Sequence, residues 1–243
     1  MIKLLAVDMD GTCLDNRSRI TDRTMEALER AAASGITVVP TTGRSMSCIP
    51  GRIRENLEGK AAEKTRKKAG KGLFRYVITS NGAETLDLVL EKRIFQALIP
   101  NERALTLLKE SRGKGLGLTA HIDHEYILQG RLLSQLGRFV YGKDARETRC
   151  AHSLEQVVSK SGYDVEELQF YFMAPGAHKK AEEILRHYPD LSAAYTGTYA
   201  EIFAKTASKG NALAALGKYL GIDQGEIACI GDGENDLSMF EAS

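Results

Sequence analysis

Residues 2–12 of the chain read IKLLAVDMDGT, a short apolar run that ends in two aspartates and a glycine. The run lacks the polar alternation of a strand with one wet face, so it predicts a strand that is covered on both faces. Such strands belong to parallel sheets that are flanked by helices. Asp8 and Asp10 follow where the carboxyl end of this strand is expected. One short stretch therefore predicts both the fold class and the position of a site.

Alternating helical and apolar segments extend this pattern along the chain. Residues 22–34 carry apolar side chains at helical spacing, with Thr21 as a candidate N-cap and Gly35 placed to end the helix. The other predicted core elements are strands at 36–39, 76–79 and 226–230 and a helix from Lys209 to Gly221. Strands that alternate with helices predict a parallel α/β sheet.

The alternation is lost between roughly residues 84 and 204. Helical stretches mix there with alternating strand patterns, and residues 196–198 resemble a hairpin turn. We therefore predict a doubly wound parallel-sheet core, formed by residues 1–83 and 205–243, with an α+β domain inserted at 84–204. The clearest secondary-structure candidates in the insertion are helices at 102–112, 131–141 and 177–188 and a strand around 169–172.

Composition excludes several classes of protein. The chain has 243 residues, a formal net charge of +1 and 43% hydrophobic residues. The balanced charge gives no case for nucleic acid, and no apolar run approaches the roughly 18–20 residues of a membrane span. The amino-terminal run is too short for a signal peptide, and the four scattered cysteines lack zinc-site or disulfide spacing. We expect a soluble, cytoplasmic protein, while its oligomeric state is left open.

Carboxylates at strand ends predict a metal site. Asp8 and Asp10 are two residues apart, so at a strand end both side chains can point the same way. Two carboxylates that close repel unless a cation joins them or one takes a proton. Asp232 and Asp236 follow the late strand and supply further oxygen atoms. An all-oxygen site suits Mg²⁺, and no His or Cys converges here for zinc.

Hydrogen-bond donors lie at the same predicted edge of the sheet. Thr42 follows the second strand, and Lys209 opens the late helix. Their hydroxyl and ammonium groups suit a phosphoryl oxygen, and Gly11, Gly43 and Gly233 allow backbone N–H groups to approach it closely. Carboxylates, Mg²⁺, a lysine and a hydroxyl together indicate phosphoryl transfer, in which a carboxylate can be the nucleophile.

Four short motifs, taken in order, resemble those of the haloacid dehalogenase superfamily. Residues 8–12 (DMDGT) resemble its first motif, 42–44 (TGR) its second, 208–210 (SKG) its third and 231–236 (GDGEND) its fourth. The SNGA stretch at 80–83, and an insertion between the second and third motifs, are similar to the Cof-type subfamily. Proteins of that subfamily carry an α/β cap of the C2 type at this point.

The resemblance implies a role for each matching residue. Asp8 would be the nucleophile and a Mg²⁺ ligand, whereas Asp10 would be the general acid and base and offer its backbone carbonyl to the metal. Thr42 and Lys209 would hold the transferring phosphoryl group. The resemblance also places Asp232 and Asp236 at the metal, and Gly11, Gly43, Arg44 and Asn235 at the substrate phosphate. The implied activity is hydrolysis of a small phosphate monoester, such as a sugar phosphate.

Other interpretations stay open at this point. The same core could serve a phosphomutase or a non-catalytic binding protein. Asp8 or Asp10 could simply cap a turn, and Lys209 could be an ordinary exposed lysine. Two histidines of the insertion could form a metal pair. These histidines and two tyrosines could also contact a substrate or simply pack against their neighbours. These four residues are His121, His124, Tyr126 and Tyr171.

Two segments remain outside these assignments. Residues 59–72 contain six basic residues and one acid, which predicts a solvated surface connection. The resemblance implies a helix, a strand and a final helix after the fourth motif, whereas the sequence stops at Ser243. We therefore expect a core that is truncated at this end and has an exposed sheet edge.

Overall fold

The computed structural model describes residues 1–59, 72–131, 133 and 148–243. The strands are β1 (Leu4–Asp8), β2 (Thr37–Thr41), β3 (Tyr76–Thr79), β4 (Glu84–Asp87), β5 (Lys92–Gln96), β6 (Leu116–Ile122), β7 (Glu125–Gln129), β8 (Thr148–Ala151), β9 (Val165–Phe172), β10 (Leu191–Tyr195), β11 (Tyr199–Ala204) and β12 (Ile227–Ile230). The helices are α1 (Asp22–Ala33), α2 (Gly51–Arg54), α3 (Asn101–Glu110), α4 (Leu154–Ser161), α5 (Ala177–Leu185), α6 (Lys209–Leu220) and α7 (Leu237–Glu241). All four predicted core strands are present.

The described residues divide into two compact units. The core unit comprises Met1–Arg44, Ile49–Gln96 and Ala207–Ser243. The inserted unit comprises Ser45–Cys48 and Ala97–Thr206. The core therefore ends its first part at residue 96 rather than at the predicted residue 83. The reason is that β4 and β5 extend the core sheet from β3 by antiparallel pairing.

The sheet of the core unit has the strand order β12-β1-β2-β3-β4-β5. The pairs from β12 to β3 are parallel, as predicted, and Leu4 lies in register with Ile227 on one side and Thr37 on the other. The chain thus adds β2 and β3 on one side of β1 and returns much later to add β12 on the other side. This reversal makes the core a doubly wound α/β sheet.

Capping and packing explain why the core helices form where they do. The Thr21 hydroxyl accepts a hydrogen bond from the N–H of Thr24, and Ser208 caps α6 in the same way. Gly221 ends α6 with a positive φ of 65°. The apolar face of α6 then packs on the sheet, with Leu213 in the same buried cluster as Leu4 and Tyr76 from the strands.

The inserted unit contains the second sheet, in the order β10-β11-β9-β6-β7-β8. Its neighbouring strands are antiparallel except for β7 and β8, and β10 and β11 form the hairpin predicted around residues 196–198. Helices α3 and α4 pack against each other and against β6, β7 and β9. The α+β character expected of the insertion is therefore present.

Three of the four histidines and tyrosines singled out in the insertion pack against one another or share hydrogen bonds. His121 is buried with its ring centroid 4.9 Å from that of Tyr126, and burial lowers the pKa of its imidazole to about 3. The Tyr126 hydroxyl donates to Gln169 Oε1 at 2.8 Å and lies 3.1 Å from the Tyr171 hydroxyl. No group of three described residues that could hold a metal includes His121.

Among the strands that the structure describes, β12 lies at one edge of the core sheet. Ile230 at its end is 50% exposed, and the side chains of Leu237 and Phe240 on α7 are also exposed. Among the described residues, no helix combines the length and apolar composition needed to cross a bilayer. The helix predicted at 131–141 lies almost wholly outside the described residues, as do the basic side chains of 59–72.

Candidate active site

The doubly wound topology determines where polar side chains converge. Strands β2 and β12 lie on opposite sides of β1, so the direction in which the chain adds strands changes at β1. The switch point of the sheet therefore lies at the carboxyl end of β1. Ligands bind at such switch points in open α/β sheets. Asp8 is the last residue of β1, Thr42 directly follows β2, and residues 231–236 follow β12. The predicted clusters therefore meet at one edge of the sheet.

Lys209 links two of the predicted aspartates. Its side chain is only 1% exposed, and its ammonium donates to Asp8 Oδ1 and to Asp236 Oδ1, each at 2.6 Å. This geometry excludes the ordinary exposed lysine. A cation at a helix start is unfavourable, and the two buried carboxylates compensate for it here. Burial raises the pKa of Asp8, and the neighbouring ammonium opposes this rise only in part.

The 231–236 loop is organised around Asp236. Its Oδ2 accepts the backbone N–H groups of Asp232, at 3.0 Å, and Gly233, at 2.9 Å. Gly231 allows this turn, because a Cβ there would lie 2.5 Å from the Asp236 carboxyl carbon. Asp232 itself is exposed and accepts a hydrogen bond from the Thr12 hydroxyl at 2.6 Å.

The donor set fits a hard divalent cation. One carboxylate oxygen each from Asp8, Asp232 and Asp236 lie within 4.8 Å of one another. Asp8 and Asp236 are buried whereas Asp232 is exposed, so the group opens to water on one side. All three ligands are oxygen atoms, and an open side suits an ion that keeps part of its hydration shell.

The Asp10 side chain binds Arg44 rather than Lys209. Both of its carboxylate oxygens accept hydrogen bonds from Arg44, at 2.8 Å from Nε and 2.6 Å from Nη2. The Arg44 guanidinium also donates to the Ser18 hydroxyl at 3.1 Å and is itself nearly buried. The Asp10 side chain nevertheless stays 53% exposed. Arg44 therefore orients Asp10, and its expected contact with the substrate phosphate stays a prediction.

Thr42 is fully buried at the start of the loop that also contains Gly43 and Arg44. Its hydroxyl accepts the backbone N–H of Arg44 at 3.1 Å, which leaves the hydroxyl hydrogen to donate elsewhere. Asn235 is exposed, and its side-chain amide donates to Asn81 Oδ1 at 3.0 Å. A Cβ on Gly43 would lie 2.9 Å from the same oxygen, so this glycine permits a close approach.

Comparison with known proteins gives the family of the chain. The model of the haloacid dehalogenase-like hydrolases matches residues 5–243. The chain belongs to this family. Phosphatase YwpJ of Bacillus subtilis is 28% identical over 265 residues, which cover 100% of this chain and 87% of that protein. The 5-amino-6-(5-phospho-D-ribitylamino)uracil phosphatase YwtE of the same organism is 27% identical over 271 residues, covering 100% of this chain and 85% of that one.

Solved structures agree on the fold. A haloacid dehalogenase-like hydrolase from Bacteroides thetaiotaomicron superposes with a TM-score of 0.79 at 21% identity, covering 100% of this chain and 86% of that chain. At that identity the likeness shows the fold alone. The family and the named relatives make this haloacid dehalogenase-like hydrolase a phosphatase that acts on phosphorylated small molecules. Proteins of the family generally use a divalent metal.

Three side-chain contacts of this hydrolase were not predicted from the sequence. Thr12 lies within the first motif, yet nothing in the motif shows that its hydroxyl reaches Asp232. Asn81 follows β3 as Thr42 follows β2, so the strand-end rule could have found it. Ser18 has no sequence signal, because only the folded loop brings it to Arg44.

Proposed function

We propose that this chain is a Mg²⁺-dependent phosphatase that hydrolyses small phosphate monoesters through an aspartyl-phosphate on Asp8. One observation carries the proposal. A buried carboxylate at the switch point of the sheet is held by a buried lysine, within a group of three aspartates that open to water. A buried carboxylate with an oriented oxygen is a suitable nucleophile for phosphorus.

In the first step, an Asp8 oxygen attacks phosphorus while the bond from phosphorus to the ester oxygen breaks. The leaving alkoxide takes a proton from Asp10, which Arg44 orients toward solvent. Lys209 uses two of its N–H groups on carboxylates, so the third can donate to a phosphoryl oxygen. The Thr42 hydroxyl donates to another. These donors stabilise charge that develops on the transferring group.

In the second step, water attacks phosphorus and the bond between phosphorus and the Asp8 oxygen breaks. Asp10, now deprotonated, takes the proton of the attacking water. Inorganic phosphate leaves, and Asp8 returns to its carboxylate form. The same residue thus serves as acid and then as base, which requires a fixed position and access to solvent. The bidentate contact with Arg44 supports the fixed position of Asp10, and its exposed side chain supports the access to solvent.

Asp8 and Asp232 would hold Mg²⁺ directly, with the Asp10 backbone carbonyl as a further ligand. Asp236 would reach it through water, because its oxygens already accept hydrogen bonds from Lys209 and two backbone N–H groups. The ion would neutralise charge on the phosphoryl oxygens when bound. We propose Mg²⁺ because the donor set is all oxygen and one side is open.

Gly11 gives a test of this metal site. Its φ is +82°, and a Cβ would lie 2.2 Å from Asp232 Oδ2. Gly11→Ala should therefore abolish the rise in melting temperature that Mg²⁺ gives the unmodified protein. Gly35→Ala is the matched control, because Gly35 has a φ of +86° with nothing within 4 Å of the added carbon. Both variants should lose about 1 kcal/mol to backbone strain, but only Gly35→Ala should keep the response to Mg²⁺.

Arg44 tests the role given to Asp10. Arg44→Lys keeps a positive charge but loses the bidentate contact, so kcat should fall roughly 10–100-fold. The response of the melting temperature to Mg²⁺ should stay, because the carboxylate that Arg44 holds is that of Asp10, which is not in the group of three aspartates. Arg52→Lys is the control, since Arg52 pairs with Asp22 on the surface. Unchanged kcat in Arg44→Lys would contradict the role.

The substrate class is tested with a panel of phosphate monoesters in the presence of Mg²⁺. Sugar phosphates belong in the panel, and so does a phosphorylated ribityl compound, because the relative YwtE is named for one. We expect release of inorganic phosphate that is lost in Asp8→Asn. An isomeric sugar phosphate in place of inorganic phosphate would indicate a phosphomutase. No turnover above Asp8→Asn by the folded protein would reject the proposal.

A further inference from the structure

The turn formed by Ser80, Asn81 and Gly82, here called the 80–82 turn, has an unusual backbone. Its three residues have φ angles of 49°, 54° and 88° in succession. All three are buried, directly after β3. Residues other than glycine avoid this region, and two in a row persist only where the surroundings impose the conformation. Such strain is concentrated at functional sites.

One side of the 80–82 turn holds the loop that contains Thr42. The Asn81 N–H donates to the Thr42 carbonyl at 3.1 Å, and the Ser80 N–H donates to the Arg44 carbonyl at 2.9 Å. These two bonds continue the contact between β2 and β3 past the end of the sheet. The position of the Thr42 hydroxyl is therefore set partly by the 80–82 turn.

The other side of the 80–82 turn faces the two late motifs. The side-chain oxygen of Asn81 accepts the amide of Asn235 at 3.0 Å. Gly82 lies against the start of α6. An added Cβ would come within 2.2 Å of the Ser208 carbonyl oxygen and 2.6 Å of the backbone nitrogen of Lys209. Three segments that contain proposed phosphoryl-binding groups thus contact one strained turn.

We propose that Asn81 is a positioning residue that fixes Asn235 and Thr42 relative to each other around the phosphoryl group. The inference rests on the proposed function. Asn81 does not itself touch the reacting atoms. Its side-chain oxygen orients Asn235, and its N–H orients Thr42. The positive-φ backbone directs both groups to their partners at once.

The test uses Asn81→Gly, because glycine accepts a φ of 54° without strain and lacks only the side-chain amide. We expect kcat to fall roughly 10–100-fold, with weaker binding of inorganic phosphate and no loss in melting temperature. Glu91→Gly is the matched control. Glu91 also has a positive φ, of 51°, and lies in the core turn between β4 and β5. Its replacement should leave kcat and phosphate binding unchanged.

A double-variant cycle separates positioning from a general structural effect. If Asn81 acts through Asn235, then Asn81→Gly should add little to the loss of kcat in Asn235→Ala. Losses that multiply would overturn the proposal, and so would wild-type kcat and phosphate affinity in Asn81→Gly. The cycle is also run on the affinity for inorganic phosphate with Mg²⁺, by calorimetry.

The calorimetric cycle distinguishes the two proposals. If the wild type binds phosphate but hydrolyses no ester, the proposed function fails, and the coupling in phosphate affinity still decides the role of Asn81. If hydrolysis is found and the two residues are uncoupled, only the positioning role fails. A wild type that neither hydrolyses esters nor binds phosphate overturns both.

Discussion

Asp8→Asn is expected to lower kcat by at least about 10⁴-fold, the scale seen when a nucleophile is removed from a catalytic unit. The amide keeps the size of the side chain but cannot form the acyl phosphate. The variant should fold, because the substitution also relieves repulsion between Asp8 and the nearby Asp236 and Asp232. The measurement is steady-state release of phosphate, together with acid-quench detection of the phosphoenzyme.

Two further variants make this test specific. Asp8→Glu retains the charge that Lys209 compensates but displaces the oxygen atoms, so it should also be nearly inactive. Asp223→Asn is the control, because Asp223 is exposed just before β12 and belongs to the same unit. A phosphoenzyme that still forms in Asp8→Asn would assign the nucleophile to another residue.

Lys209→Met should be the most destabilising change at the site. The buried ammonium balances Asp8 and Asp236, and its removal leaves buried carboxylates without a counter-charge. Loss of one partner from a buried ion pair costs about 3–5 kcal/mol. Activity should fall with it, since a donor to the phosphoryl group is lost. Urea unfolding and phosphate release measure the two effects separately.

A second lysine variant isolates the cause of the instability expected for Lys209→Met. Lys218→Met changes the same residue type on the exposed surface of α6 and should cost less than about 1 kcal/mol. Mg²⁺ should restore more stability to Lys209→Met than it adds to the wild type, because a cation can take over the compensation. The double variant with Asp8→Asn should be less destabilised than the two single effects predict. Simple additivity would refute the charge-balance explanation.

The sequence predicted the parts of the fold that depend on local pattern. The apolar run from Leu4 to Val7 predicted a strand that is covered on both faces. The helix caps at Thr21 and Gly221 lie where their residue types predict. From this pattern alone, Asp8, Thr42 and Asp232 could be assigned to one edge of the sheet. The placement follows because parallel strands present their carboxyl ends together.

The core unit extends to Gln96, past the predicted boundary at residue 83, because buried charged residues look like surface residues in a sequence. Strand β4 begins with Glu84 and ends with Asp87, which no hydrophobic pattern assigns to a sheet. Asp87 is fully buried, since the Arg75 guanidinium donates to it at 2.8 Å and two backbone N–H groups cap it. Such compensation depends on partners that only the folded chain brings together.

The same reason explains why the contact between Arg44 and Asp10 was not predicted. A guanidinium beside a phosphoryl site suits either a phosphate or a carboxylate, and residue type does not separate the two. The choice of Asp10 depends on the path of the loop after β1, where Gly11 turns with a positive φ. That path is a property of the tertiary structure.

The strand order has a consequence for how the protein becomes active during synthesis. Lys209 leaves the ribosome 201 residues after its partner Asp8. At about 5–20 residues per second, the interval is roughly 10–40 s. Until α6 and β12 pack beside β1, the nascent chain has Asp8 without its lysine, so the group of three aspartates cannot form before residue 236 has been synthesised.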